Sequence, residues 1–108
     1  MRSINRFTVA GNVGSITSFN KAVKVSIAAD RTWTNDAGKK ETRTDWVTVT
    51  VFDEQAAWIK DNVSKGQPVI AEGRISNSSY EKDGETIYTT DLVATTFNAF
   101  QAPNISKN

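Results

Sequence analysis

The segment Asp45-Trp46-Val47-Thr48-Val49-Thr50-Val51-Phe52 alternates strictly along its length, the mark of a half-buried strand. Val47, Val49 and Val51 take one side and require a core. Trp46, Thr48, Thr50 and Phe52 take the other. A folded domain seldom leaves a Trp and a Phe on a polar strand face without something to cover them. Two readings follow. Flat rings beside threonines form a platform on which unpaired nucleobases stack. Alternatively, a helix or a second subunit covers that face.

A chain of 108 residues makes one domain with a modest core. Its hydrophobic content of 38% is that of a folded globular domain. There is no cysteine and no histidine. Disulfides, thiolate nucleophiles, imidazole bases and the usual zinc ligands are thereby excluded, which leaves a carboxylate-only magnesium site as the remaining metal option. Thirteen basic residues against twelve acidic ones give a net charge of +1, so any electrostatic role rests on local placement. No apolar run is long enough to cross a bilayer, and Met1–Arg6 leads into strand-like sequence without the apolar stretch of a signal peptide. A cytoplasmic location is expected.

Several strands and one helix account for the chain. Arg6–Gly11 reads as a first strand, with Gly11 and Gly14 allowing a bend or bulge. A short loop is expected around Ser15–Lys21. Val23, Val25 and Ile27 alternate with Lys24, Ser26 and Ala28 in a second strand, and Thr34–Lys39 reads as a polar loop. The alternating strand comes third. Asp53 then has the chemistry of a helix N-cap, with Ala56, Ile59 and Val63 at helical spacing and Gly66 fitting the stop. Pro68 opens a fourth strand through Ile75. A long hairpin follows, with arms Ser76–Glu81 and Glu85–Val93 and an Asp83-Gly84 turn. Residues 1–100 form the expected domain and Gln101–Asn108 a short polar tail. This order is that of an OB-fold: all-β with one helix, a five-stranded Greek-key barrel whose helix lies between strands three and four.

The motifs carry a resemblance as well. Asn5-Arg6 precedes an apolar strand that ends in Gly11-Asn12-Val13-Gly14; Thr44-Asp45-Trp46 is followed by Val51-Phe52. Lys65-Gly66, Glu72-Gly73-Arg74 and Tyr88-Thr89-Thr90-Asp91 come in the same order. From about Arg2 to Phe100 the chain resembles the bacterial single-stranded DNA-binding protein family. The resemblance implies that Trp33, Trp46 and Phe52 stack on bases, and that Tyr80 does so where members commonly carry Trp. It implies basic residues near the DNA path at Arg2, Arg6 and Lys65. It also implies a homo-oligomer, typically a tetramer built as a pair of dimers, with a nucleoid-associated location.

Departures from the family pattern qualify the match. Asp53 and Glu54 stand where the family has Gly and a basic residue, and Ser76-Asn77-Ser78-Ser79 replaces an Arg/Lys-rich stretch. The chain reaches Asn108 without the family's flexible linker and acidic tail, so recruitment of replication proteins through such a tail is not expected. Trp33 shares the parity of Val25 and Ile27, and reaches the outer face only if a bulge near Asp30–Thr32 shifts the register; core burial is its other reading. Trp58 is expected to be partly buried against the barrel end, with a subunit contact as the alternative. Tyr88 is expected to pair across the hairpin.

The expected function is single-stranded DNA binding with little sequence preference, without catalysis or cofactor. Bases stack on Trp33, Trp46, Phe52 and Tyr80. Phosphates meet Arg2, Arg6, Lys39, Arg43, Lys65 and Arg74, the loop cations Lys39 and Arg43 gaining plausibility because they lie between two candidate stacking residues. A second reading is a primosome-type OB-fold accessory protein, a dimeric interaction module with modest DNA affinity. A third, a small carboxylate hydrolase, lacks a nucleophile–base pair and a Gly-rich phosphate loop.

Overall fold

Three strands place every second residue inside one core: Val23, Val25 and Ile27 face Val49 and Val51, and Val69 and Ala71 complete the ring. Each of the valines and Ile27 contributes about 1.5–3 kcal/mol on leaving water. The computed structural model describes residues 1–100. Its elements are β1 (Phe7–Phe19), β2 (Ala22–Thr34), β3 (Lys40–Phe52), α1 (Asp53–Asn62), β4 (Pro68–Lys82) and β5 (Glu85–Ala99). The strands close into a barrel in the order β1-β2-β3-β5-β4, with β1 returning to β4. All pairings are antiparallel except β3 with β5, which is parallel and rests on Val49↔Leu92 and Thr50↔Val93. This is the Greek-key barrel expected of an OB-fold.

Helix α1 sits over one end of the barrel. Ala56 and Ile59 on one side of it and Val63 just beyond are buried in the common core. Its start differs from the expectation. The N-cap is Phe52, in extended backbone, with no side-chain cap hydrogen bond. Asp53 is the first helical residue and has a φ of 60°, a left-handed conformation that Asp tolerates better than most residues. Its N–H donates to the carbonyl of Lys21 at 2.9 Å, tying the helix start to the β1–β2 turn. The helix also stops earlier than Gly66. It ends at Asn62, and Gly66 belongs to a separate turn in which the Gln67 N–H reaches the Ser64 carbonyl at 3.1 Å.

Both β-hairpins that flank the barrel are longer than the core requires. β2 and β3 pair in unbroken register from Ala22↔Phe52 to Thr34↔Lys40, although burial ceases beyond Ala29 and Val47. The residues expected as a loop therefore include the end of a strand, and the connection shrinks to residues 35–39. β4 and the first arm of the long hairpin are one strand, closed to β5 by the two-residue turn Asp83-Gly84, with φ of 53° and 81°. Such mirror-image turns match the twist of the strands they join. These two projecting ribbons explain a radius of gyration of 16.9 Å, where a compact chain of this length has about 13 Å.

β1 likewise exceeds its expected length. It bulges between Val13 and Ser15, as the glycines suggested, and then continues to Phe19. The expected loop at Ser15–Lys21 is a strand plus the two-residue turn Asn20-Lys21.

Candidate nucleic-acid interface

The outer faces of β2, β3, β5 and β4 form one continuous surface. Register defines its rows: Lys24 lies opposite Thr50, Thr50 beside Val93, and Val93 opposite Arg74. Their strand neighbours Val25, Val49 and Ala94 point the other way, into the core. Counting in steps of two from that row puts Trp46 and Phe52 on this surface along β3, and Ser76, Ser78 and Tyr80 along β4. Phe52 is 48% exposed, Trp46 63% and Tyr80 52%. Among the described residues no helix covers this strand face, because α1 covers the barrel end instead.

Trp46 is laid down rather than standing free. A Cβ placed on Gly14 would collide with its indole, and Ser26 Oγ lies 2.9 Å from the same point. The ring therefore crosses two neighbouring strands. The ring's outer edge reaches Gly14 while most of the side chain stays open to solvent, where a base can reach it.

Trp33 is exposed at 39%, but by a different route from the one expected. β2 has no bulge near Asp30–Thr32; the register with β3 is unbroken there. Trp33 keeps core-side parity and escapes burial because the ribbon has already left the barrel. It thus lies on the opposite face of the β2–β3 ribbon from Trp46. Arg43 shares that side, opposite Arg31 in register.

Arg31 is a residue that sequence reasoning missed. Its guanidinium carbon lies 5.1 Å from the Trp33 ring centroid, and its Nε donates to Asp45 Oδ2 at 3.1 Å. Alternation was the available signal, since residues 31 and 33 share a strand face. The ion pair is about half exposed, so its worth is about 0–1 kcal/mol, and its effect is to orient the indole. Across the ribbon, Thr44 Oγ1 donates to Asp30 Oδ1 at 2.6 Å and Thr32 shares a hydrogen bond with Thr42 at 3.2 Å. At its tip, Asn35 Oδ1 accepts from the backbone N–H groups of Ala37 and Lys39 at 2.9 and 3.0 Å. These contacts fix where Lys39 stands.

The remaining cations fall in two places. Asn5 bonds in both directions with the backbone of Ile75, at 2.8 and 2.9 Å, which carries the N-terminal segment along β4 and sets the backbone of Arg6 beside Arg74. Arg2 lies further along that exposed segment. Lys65 stands in the turn after α1, where the Gly66 N–H donates to the Val13 carbonyl at 2.8 Å, next to the Gly14 that the Trp46 indole overlies. Tyr88 pairs with Ser79 across the long hairpin, as expected. Trp58 is more exposed than expected and lines a shallow groove with Gln55 and Thr95–Asn98 of β5. Among the described residues, no three carboxylates converge on a metal site, and no helix is long and apolar enough to cross a membrane.

The family model of the single-strand binding protein family matches residues 4–100. The chain belongs to the single-strand binding protein family. Within this family, it is 34% identical over 94 residues to single-stranded DNA-binding protein 2 of Staphylococcus aureus (strain Mu50), covering 86% of this chain and 59% of that one. It is 30% identical over 102 residues to single-stranded DNA-binding protein 1 of Xylella fastidiosa, covering 87% and 75%. The chain thus spans well under the full length of its S. aureus relative. Among solved structures, the mitochondrial single-stranded DNA-binding protein of S. cerevisiae superimposes with a TM-score of 0.66 at 27% identity, over 94% of this chain and all of that one. The Plasmodium falciparum single-strand binding protein, solved in complex with single-stranded DNA, shares the fold with a TM-score of 0.73 at 20% identity, over 94% and 98%.

Proposed function

We propose that this chain coats single-stranded DNA with little sequence preference, protecting it during replication, recombination or repair. The observation that carries the proposal is the outer barrel face, where Trp46, Phe52 and Tyr80 are exposed on the strands whose inner face is the core. Every base has a π-face, so stacking on such rings, worth about 1–3 kcal/mol per base, is tolerant of sequence. Arg74 lies within this surface, with Arg6 alongside. Arg2 extends the cationic line, and Lys39 and Arg43 serve the ribbon that carries Trp33. Lys65 flanks the same surface on its β1 side, in a turn bonded to Val13, next to the Gly14 that the Trp46 indole overlies. A strand touching both Trp46 and Trp33 passes around the ribbon from one face to the other. The chain acts by binding alone and assembles with copies of itself, as its family membership supports, and such binding associates it with the nucleoid.

Titration of tryptophan fluorescence with single-stranded DNA, duplex DNA and RNA oligomers of equal length tests this. Strong quenching by single-stranded DNA and little by duplex is expected. Equal response to duplex, or weak quenching throughout, overturns it and favours an accessory protein that works through protein contacts.

A further inference from the structure

Phe19 ends β1 and, across the turn, lies opposite Ala22, which in turn lies opposite Phe52. The next residues, Val23 and Val51, point into the core, so the Phe19–Ala22–Phe52 row points outward. Ala22 is buried between its neighbours, while Phe19 remains 44% exposed. A lone exposed Phe needs no explanation. This one has a second exposed ring two strands away on the same row. Two strand spacings separate the backbones by about 9.5 Å. Two rings holding a flat base between them stand about 7–8 Å apart, twice the contact distance between carbon atoms, and both phenyl groups line one groove.

The row beside the two phenyl rings is a groove of about 310 Å³. Thr50, buried, lies at its base, and Lys24 and Arg74 line it. Lys24 Nζ is 5.6 Å from the Phe19 ring centroid. Asp91, on the far side, presents an acceptor-only carboxylate, which suits the N–H edge of a base and repels a phosphate. We infer that Phe19 is a fifth base-stacking residue, and that Phe19 and Phe52 together form a two-sided seat for one nucleobase, with the flanking phosphates on Lys24 and Arg74. The inference rests on the single-strand binding function proposed above and extends that surface onto β1.

The test compares the wild type with Phe19→Leu, Phe19→Tyr, Phe52→Leu and the Phe19→Leu/Phe52→Leu double variant. Each is titrated with an oligothymidylate across a salt series, reading tryptophan quenching, and each is melted without DNA. Phe19→Leu keeps apolar bulk and removes the ring. It is expected to weaken binding about 5- to 30-fold, equivalent to about 1–2 kcal/mol, with an unchanged salt slope and unchanged melting temperature. Phe19→Tyr is expected to bind as the wild type does, and the double variant to lose less than the product of the single losses, because both rings hold one base. Undiminished binding by Phe19→Leu, a loss that Phe19→Tyr shares, or fully multiplicative losses overturn the seat while leaving the proposed function intact. Failure of the wild type to bind overturns the proposed function itself, and the seat with it.

Discussion

Gly14 is the floor on which Trp46 lies: the indole occupies the space that any side chain at residue 14 would need. The bulge between Val13 and Ser15 brings that glycine under the ring. A methyl group there must displace the indole or the strand. Gly14→Ala is expected to lower stability by about 1–3 kcal/mol, the usual cost of overpacking, and to weaken single-strand binding. Fluorescence titration alongside chemical denaturation checks both; unchanged affinity would show that the contact of Trp46 with Gly14 is not part of the binding pose.

Trp46→Ala removes the ring without opening the core, since the side chain is largely exposed. Affinity for single strands is expected to fall by about 1–3 kcal/mol, with the melting temperature nearly unchanged. Ile27→Ala is the complementary case. That side chain is fully buried, and its loss is expected to cost about 2–5 kcal/mol of stability.

Asp53 separates two accounts of the helix start. As an N-cap it would be replaced by Thr at a cost of only a few tenths of a kcal/mol. At a φ of 60°, a β-branched residue is strained, and Asp53→Thr is expected to destabilise by about 1–2 kcal/mol. Asp53→Gly, which relieves the strain, should stay much closer to wild type. Denaturant midpoints of the two variants decide between the accounts.

Salt dependence reports the phosphates. Affinity for single strands changes by about 0.7 log units per log unit of salt for each phosphate neutralised. With Ser76, Ser78 and Ser79 along the hairpin arm and a net charge of +1, few phosphates are neutralised per subunit, and the slope is expected to be shallower than for a strongly basic family member of the same oligomeric state. Arg74→Ala should flatten it further by about 0.7. Lys65→Ala, in the turn bonded to Val13 beside the Trp46 ring, should flatten it as well, and an unchanged slope there would place the DNA path away from that turn.

Alternation makes most of the barrel legible in the sequence. It assigned Val47, Val49 and Val51 to the core and Trp46 and Phe52 to the outer face, and the order of elements gave the Greek key. What alternation cannot report is where a barrel stops. Trp33 obeys core parity and is exposed because β2 outruns the core, so no bulge was needed. The same blindness hid Phe19, which lay in what read as a loop. Asp53 was misread because capping and left-handed backbone favour the same short polar side chains; the family's glycine at that position was the available hint.

The parallel pairing of β3 with β5 is the barrel's shortest joint, two residue pairs long, and it runs directly beneath the groove between Phe52 and Arg74. A strand of DNA held on both residues, as proposed above, would lie across that joint like a clasp across a hinge. Occupancy then favours the closed barrel, and by the same linkage the closed barrel favours occupancy. On that reading, the protein's grip on its ligand and the integrity of its own wall would be a single equilibrium.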